Sequence, residues 1–246
     1  MLDAYEDGLK HRFSEIRERI SSAAAASGRS ADEVRIVAVS KTVGIDEVLA
    51  AIRVGYRSFG ENRPQELHAK LQGLAAASPE VTPHFELIGN LQTNKINAVL
   101  GRVDLIHSIS SMHLARAVSK RAERLAGEDP HFSEQAVLLE VNVSGERTKA
   151  GFSPDELRAA IDDLKELSGI RICGLMTMAP RGNADEARHC FEGLRLLRDE
   201  LVSCHPDLNL VELSCGMSED FEEAVSEGST IVRLGRVVFD PVFALK

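Results

Sequence analysis

The chain is predicted to be an α/β protein of one domain, 1–246, a (β/α)8 TIM barrel with an extra N-terminal helix. Three observations predict it. Eight short apolar runs of strand length alternate with longer segments of helical period, the pattern of a parallel barrel wrapped in helices. Polar residues recur at the C-terminal tips of these runs, the end at which such barrels carry their sites. No G-x-G-x-x-G follows the first strand, where a doubly wound dinucleotide-binding sheet would place one.

The elements follow in order. Residues 4–27 read as an amphipathic helix that ends in an alanine run and Ser27-Gly28. Strand one is 35–40, with a helix over 45–54 through Ile45, Val48, Leu49 and Ile52. Strand two is 57–60 and its helix 64–77; strand three is 84–88, with a helix at 92–100. Strand four is 104–108, before a helix over 111–126. Strand five runs from Ala136 to Val143, and Ser153-Pro154-Asp155-Glu156 announces its helix, with proline just inside the first turn. Strand six is 170–176 and its helix 184–203; strand seven is 210–213, with a helix over 218–227. Strand eight is 230–234. Only about twelve residues follow it, too few for a full closing helix, so the N-terminal helix is expected to fill that place.

Composition removes several function classes. The 246 residues are 43% hydrophobic and 27% charged, ordinary for a globular protein. With 29 basic and 38 acidic residues the net charge is −9, against non-specific nucleic-acid binding, which needs a basic face. No apolar run approaches the ~20 residues of a membrane span, and the acidic N-terminus has no signal-peptide h-region. Cys173, Cys190, Cys204 and Cys215 form no C-x-x-C pair, and the eight histidines show no metal-ligand spacing. A reduced, cytoplasmic protein without a metal is expected.

Lys41 stands at the tip of strand one. A lysine there points into the barrel mouth; desolvation lowers its ordinary pKa of ~10.4, and the neutral amine can attack a carbonyl. A snorkelling surface lysine is the plain alternative. The late loops supply an anion site: Ser214 offers a hydroxyl, Gly216 lets the backbone approach, and Ser218 can cap the next helix. After strand eight, Gly235 and Arg236 can donate backbone N–H groups, at the usual place for phosphate in these barrels. Glu219 and Asp220 oppose this unless they face away. A cofactor with a reactive carbonyl and a phosphate answers both features, and pyridoxal 5′-phosphate is one. Arg233 is either a salt-bridge residue or the partner of the pyridine nitrogen, which an arginine would leave unprotonated. The ring would then be a poor electron sink. Asn62, His107, Ser108, Asn142 and Met176 also end strands at this mouth. Lys149, in the polar loop after strand five, is either a surface lysine or a second amine that accepts the aldehyde.

The motifs Val37-Ala38-Val39-Ser40-Lys41-Thr42, Phe59-Gly60-Glu61-Asn62, Leu87-Ile88-Gly89-Asn90-Leu91-Gln92-Thr93-Asn94-Lys95 and Val141-Asn142-Val143-Ser144-Gly145-Glu146 resemble those of the pyridoxal phosphate homeostasis proteins. Gly174-Leu175-Met176-Thr177, Leu213-Ser214-Cys215-Gly216-Met217-Ser218 and Gly228-Ser229-Thr230-Ile231-Val232-Arg233-Leu234-Gly235 do so too, in family order from residue 35 to about 239. The resemblance implies the barrel of pyridoxal phosphate fold type III, like the N-terminal domain of alanine racemase, and cofactor binding without an established reaction. It implies a Schiff base on Lys41, phosphate on Ser214 and the 235–236 backbone, Arg233 against the pyridine nitrogen, and Asn62 in the pocket wall. It also implies a monomer, with apo forms of pyridoxal phosphate enzymes as recipients. Two motifs depart from the family pattern: Phe85-Glu86 replaces Trp-His, and Phe239-Asp240 replaces Phe-Gly.

An amino-acid racemase on the same barrel is the alternative, and a class I aldolase a distant third. Racemisation by two bases needs a group on each face of the α-carbon. The only tyrosines, Tyr5 and Tyr56, are expected away from the strand tips, and the chain ends too soon for the extra β-domain that supplies one in alanine racemase. Little or no racemase activity is therefore expected.

Overall fold

The computed structural model describes residues 2–146 and 148–245. The helix α1 (Leu2–Ala26) leads, through a short 3-10 turn capped by Ser30, into β1 (Arg35–Val39). There follow α2 (Ile45–Val54), β2 (Ser58–Glu61), α3 (Pro64–Ala77), β3 (His84–Leu87), a 3-10 segment over Thr93–Ala98, β4 (Leu105–Ile109) and α4 (Met112–Glu128). The second half comprises β5 (Gln135–Glu140), α5 (Pro154–Lys165), β6 (Ile170–Met176), α6 (Ala184–Cys204), β7 (Glu212–Ser214), α7 (Phe221–Ser226), β8 (Ile231–Leu234) and α8 (Arg236–Phe239). The eight strands pair in parallel, each with the next, and β8 closes on β1: the fold is a (β/α)8 barrel.

Local chemistry sets most helix starts. Ser111 accepts the N–H of Leu114 ahead of α4, and Ser153 and Glu156 form a reciprocal box ahead of α5, where Pro154 needs no hydrogen-bond partner. The Asn183 side chain accepts the N–H groups of Asp185 and Glu186 ahead of α6. Because α8 is a single turn, α1 packs against α7, α2 and α8 in the place a closing helix would take. Its Arg12 donates to the carbonyls of Val237 and Phe243 at 3.1 Å each, fastening the C-terminal segment.

Several expected boundaries move. The element at 92–100 is a six-residue 3-10 segment over Thr93–Ala98 rather than an α-helix. β5 stops at Glu140, so Asn142 belongs to the loop, where its side-chain amide donates to the Glu146 carbonyl at 2.9 Å. α7 begins at Phe221 after Asp220, so Ser218 does not cap it; its Oγ instead accepts the Val237 N–H, in the first turn of α8, at 3.2 Å.

Alternation along the strands sorts side chains between two cores. Outward residues such as Ala38, Phe59, Ile106 and Leu139 pack under the helices. Inward ones, Val37, Leu105, Leu138, Cys173, Met176 and Ile231, fill the barrel. His107, Glu140 and Arg233 stand two positions beyond Leu105, Leu138 and Ile231 and so share the inner face. The barrel is apolar where β4 and β8 begin and becomes polar toward the mouth.

Candidate functional site

Lys41 lies in the turn after β1, with the parity of Val37 and Val39, so the strand presents it on the inner side of the rim. The residue is exposed, and no protein group binds its amine among the described residues. This corrects the expectation of an amine desolvated by the barrel: the chain places Lys41 at the mouth but does not bury it, because β1 ends two residues earlier and the turn that carries it is exposed.

The backbone behind it is held firmly. Ser40 and Glu61, outward-facing at the ends of β1 and β2, are both fully buried. Ser40 Oγ donates to Glu61 Oε1 at 2.6 Å. Lys70 of α3, also buried, donates to the same oxygen at 2.5 Å and to the Ser40 carbonyl. Glu61 Oε2 has no partner among the described residues. Sequence reasoning missed Lys70, whose position mid-helix gives no sign that it turns inward.

Inside the barrel, Arg233, Ser214, His107 and Glu86 are all buried and joined. Arg233 Nη1 donates to Ser214 Oγ at 2.5 Å and to its carbonyl at 2.9 Å, and Nη2 donates to the Thr177 carbonyl at 3.0 Å. Ser214 Oγ meets His107 Nδ1 at 2.9 Å, and His107 Nε2 meets Glu86 Oε2 at 2.6 Å. Arg35 pairs with the other Glu86 oxygen and, at 3.5 Å, with Glu212. Burial holds the His107 ring below its ordinary pKa against the pull of Glu86 toward the charged form. Ser214 therefore faces into the barrel at the end of β7, its hydroxyl shared between Arg233 and His107. Glu86, one of the departures from the family pattern, is the acidic end of this chain. The other, Asp240, is a turn residue that accepts the Val242 N–H at 3.0 Å.

Glu140, at the inward end of β5, is buried with no partner for Oε2 among the described residues, and burial raises its pKa against the opposing pull of Arg233. A raised folded-state pKa gives stability that is present below the unfolded pKa, ~4.3, and lost as pH rises through the folded one. Glu140→Gln is accordingly expected to stabilise the fold at pH 7.5 by on the order of 1 kcal/mol, with the gain vanishing near pH 4. Urea unfolding at the two pH values measures it. A gain of equal size at both would remove the titration from the explanation.

At the rim, the loops after β7 and β8 approach each other. Gly216 has φ +93°, and a Cβ there would lie 2.6 Å from the Ala224 Cβ, so the turn accepts only glycine. A Cβ on Gly235 would lie 3.4 Å from that of Val39, which brings this loop beside the end of β1. The N–H groups of Gly216, Ser218, Gly235 and Arg236 meet no protein acceptor among the described residues, while those of Met217 and Val237 are taken by Asp220 Oδ1 and Ser218 Oγ. The acidic pair raised as an objection is accounted for. Glu219 pairs with the exposed Arg236 side chain at 2.8 Å, and the Asp220 carboxylate accepts the Met217 N–H at 2.6 Å. Cys215, between these loops, is no nucleophile: burial pushes its thiol up to about 12. Asn62 is half-buried at the tip of β2, with the Gly89 backbone so close that a Cβ would lie 2.3 Å from the Asn62 carbonyl oxygen. Lys149 is 20% exposed and engaged by Glu146 at 2.5 Å and the Met178 carbonyl at 3.0 Å.

Among the described residues no group of three or more histidine, cysteine or acidic side chains could hold a metal, and no helix is long and apolar enough to cross a membrane. The residues brought together fit a phosphorylated aldehyde. There is an uncommitted amine at the rim, a set of unpaired N–H donors on neighbouring loops of the same rim, and a buried guanidinium on β8 with two of its five N–H groups unspent.

The sequence profile described as alanine racemase, N-terminal domain, matches residues 11–240. A pyridoxal phosphate homeostasis protein of Aquifex aeolicus is 39% identical over 93% of this chain and 96% of its own. A solved structure from Bifidobacterium adolescentis, of a protein described as unknown, superposes with a TM-score of 0.87 at 39% identity, covering 96% of each chain. PipY of Synechococcus elongatus, solved with pyridoxal phosphate bound, gives a TM-score of 0.80 at 33% identity, over 94% of this chain and 99% of PipY. With the barrel closed strand for strand and the likeness running along nearly its whole length, this chain belongs to the pyridoxal phosphate homeostasis protein family, built on the alanine racemase N-terminal-domain fold.

Proposed function

We propose that this protein binds pyridoxal 5′-phosphate at the barrel mouth and serves its homeostasis in the cytoplasm, holding the cofactor and handing it on to apo-enzymes. One observation carries the reading: an uncommitted lysine at the tip of β1 shares its rim with the loops after β7 and β8, whose Gly216, Ser218, Gly235 and Arg236 N–H groups meet no protein acceptor among the described residues. Lys41 anchors the aldehyde. The 216, 218, 235 and 236 N–H groups receive the phosphate, with the Ser218 hydroxyl as the rim donor in place of Ser214. The two unspent N–H groups of Arg233 face the ring nitrogen, and Asn62 lines the wall. The bound cofactor supplies an electrophilic carbon and a visible chromophore, and the chain supplies position. Exposure of Lys41 suits release, since an incoming amine can reach the same carbon.

The relatives named for pyridoxal phosphate homeostasis and the pyridoxal phosphate in PipY support this reading. The test is a spectral titration of the purified protein with the cofactor. Arg233→Leu is expected to weaken binding by one to two decades, the loss of about 1.5–3 kcal/mol of charged hydrogen bonding. Unchanged affinity would mean that the ring lies elsewhere.

The protein is not proposed as a racemase. Tyr56 lies before β2, buried at the opposite end of the barrel, and Tyr5 packs into the outer core from α1. Neither can serve the face of a substrate opposite Lys41. Deuterium exchange at the α-carbon of D- and L-alanine should stay far below ordinary enzyme turnover, roughly 1–1000 per second. Exchange with inversion at such rates would restore the racemase reading.

A further inference from the structure

The buried chain beneath the mouth has a direction that hydrogen-bonding capacity alone dictates. Arg233 can only donate, so Ser214 Oγ accepts from it, at 2.5 Å. Among the described residues the Ser214 proton then has one acceptor within reach, His107 Nδ1 at 2.9 Å. That leaves the ring proton on Nε2, directed at Glu86 Oε2 at 2.6 Å. Glu86 is in turn fastened by Arg35 from β1. The order is Arg233 to Ser214 to His107 to Glu86, every link donating in the same sense, across β8, β7, β4 and β3.

Such a chain is an uneconomical way to fill a barrel. Burying a carboxylate, an imidazole and a guanidinium costs several kcal/mol per charge, and well-packed apolar residues in their place are often as stable or more so. The rest of the barrel interior shows that apolar filling is available to this fold. What the chain does that leucines could not is fix the guanidinium: with Nη1 tied to both Ser214 oxygens and Nη2 to the Thr177 carbonyl, the plane of Arg233 has one orientation. The two remaining N–H groups are then presented from a defined edge.

We propose that Glu86 and His107 are positioning residues that act through Ser214 to orient Arg233 for the ring of the cofactor, with His107 locked as the Nε2–H tautomer. The ligand half of this statement rests on the reading of the mouth as a pyridoxal 5′-phosphate site; the tautomer does not. The charged or polar groups around His107 are Glu86 on β3, Ser214 on β7, Arg233 on β8 and Arg35 on β1. Together they leave the ring no second acceptor for a proton on Nδ1.

The first measurement uses the cofactor-free protein. Ring 15N NMR of histidine-labelled protein, with His107 assigned through His107→Asn, should show a neutral Nε2–H imidazole whose Nδ1 is an acceptor, between pH 6 and 8. An imidazolium at neutral pH, or a proton on Nδ1, overturns the chain. The second is a double-mutant cycle on pyridoxal 5′-phosphate affinity. Glu86→Gln should weaken binding about tenfold in the wild-type background and by less than about twofold in an Arg233→Leu background, since neighbours that act through one group are not additive. Equal losses in the two backgrounds would reduce Glu86 to a packing residue. His107→Asn, which breaks the link to Glu86, replaces Glu86→Gln in the cycle if that variant does not fold. If Arg233→Leu binds as well as wild type, the reading of the mouth fails; if Arg233→Leu binds weakly but the losses add, only the positioning role fails.

Discussion

Lys41→Ala should give a folded barrel that loses bound pyridoxal 5′-phosphate on gel filtration and shows no protein-bound visible chromophore. The amine touches no other protein group among the described residues and the residue is exposed, so its removal leaves the fold alone. What it removes is the covalent attachment proposed for the cofactor. Retention should fall by roughly two decades or more, equivalent to about 2.7 kcal/mol, while the loops after β7 and β8 keep a residual affinity for the phosphate. Borohydride reduction of the loaded wild type, followed by peptide mapping, should place the mass increment on Lys41. An increment on another lysine, with Lys41→Ala still yellow, would move the site.

The largest effect on stability is expected one layer behind, from Lys70→Met. Among the described residues Lys70 is the only cation bound to the fully buried Glu61, and it also holds the Ser40 carbonyl next to Lys41. Glu61 already has one oxygen without a partner, so losing Lys70 leaves a buried carboxylate with the Ser40 hydroxyl alone. Breaking one side of such a pair costs about 3–5 kcal/mol, which for a domain of this size lowers Tm by roughly 10 °C. Removing the charge as well, in Lys70→Met with Glu61→Leu, should recover most of the loss, because the penalty lies in the orphaned carboxylate and not in the missing contact. Thermal unfolding followed by circular dichroism measures both. A double variant as unstable as the single one would mean that the pair contributes through packing rather than charge.

How much was legible follows from which interactions are local. The strand Arg35–Val39, the helix Pro64–Ala77 with proline at its first position and the Ser153 box ahead of α5 are written in contiguous residues, and they stand where periodicity and capping place them. Lys41 and the glycines of the late loops were legible because strand ends in this architecture converge on one face. The segment at 93–98 was misread as an α-helix because a six-residue stretch carries too little periodicity to separate the two helix types.

The sequence by itself determined the order of strands and helices, the closure into a barrel and the rim at which polar strand ends converge, since each depends on hydrophobic period and short turns within one stretch of chain. Only the tertiary structure decided that Ser214 turns into the barrel toward His107 and Arg233 while Ser218 stays at the rim beside Val237. It alone decided that Glu86 meets His107, that Lys70 meets Glu61, and that Lys41 remains exposed. Those outcomes turn on which strands lie opposite one another across a closed barrel and on which side chains find partners there. A buried polar group must be paired wherever it lands, and its partner can be over a hundred residues away, as His107 is from Ser214.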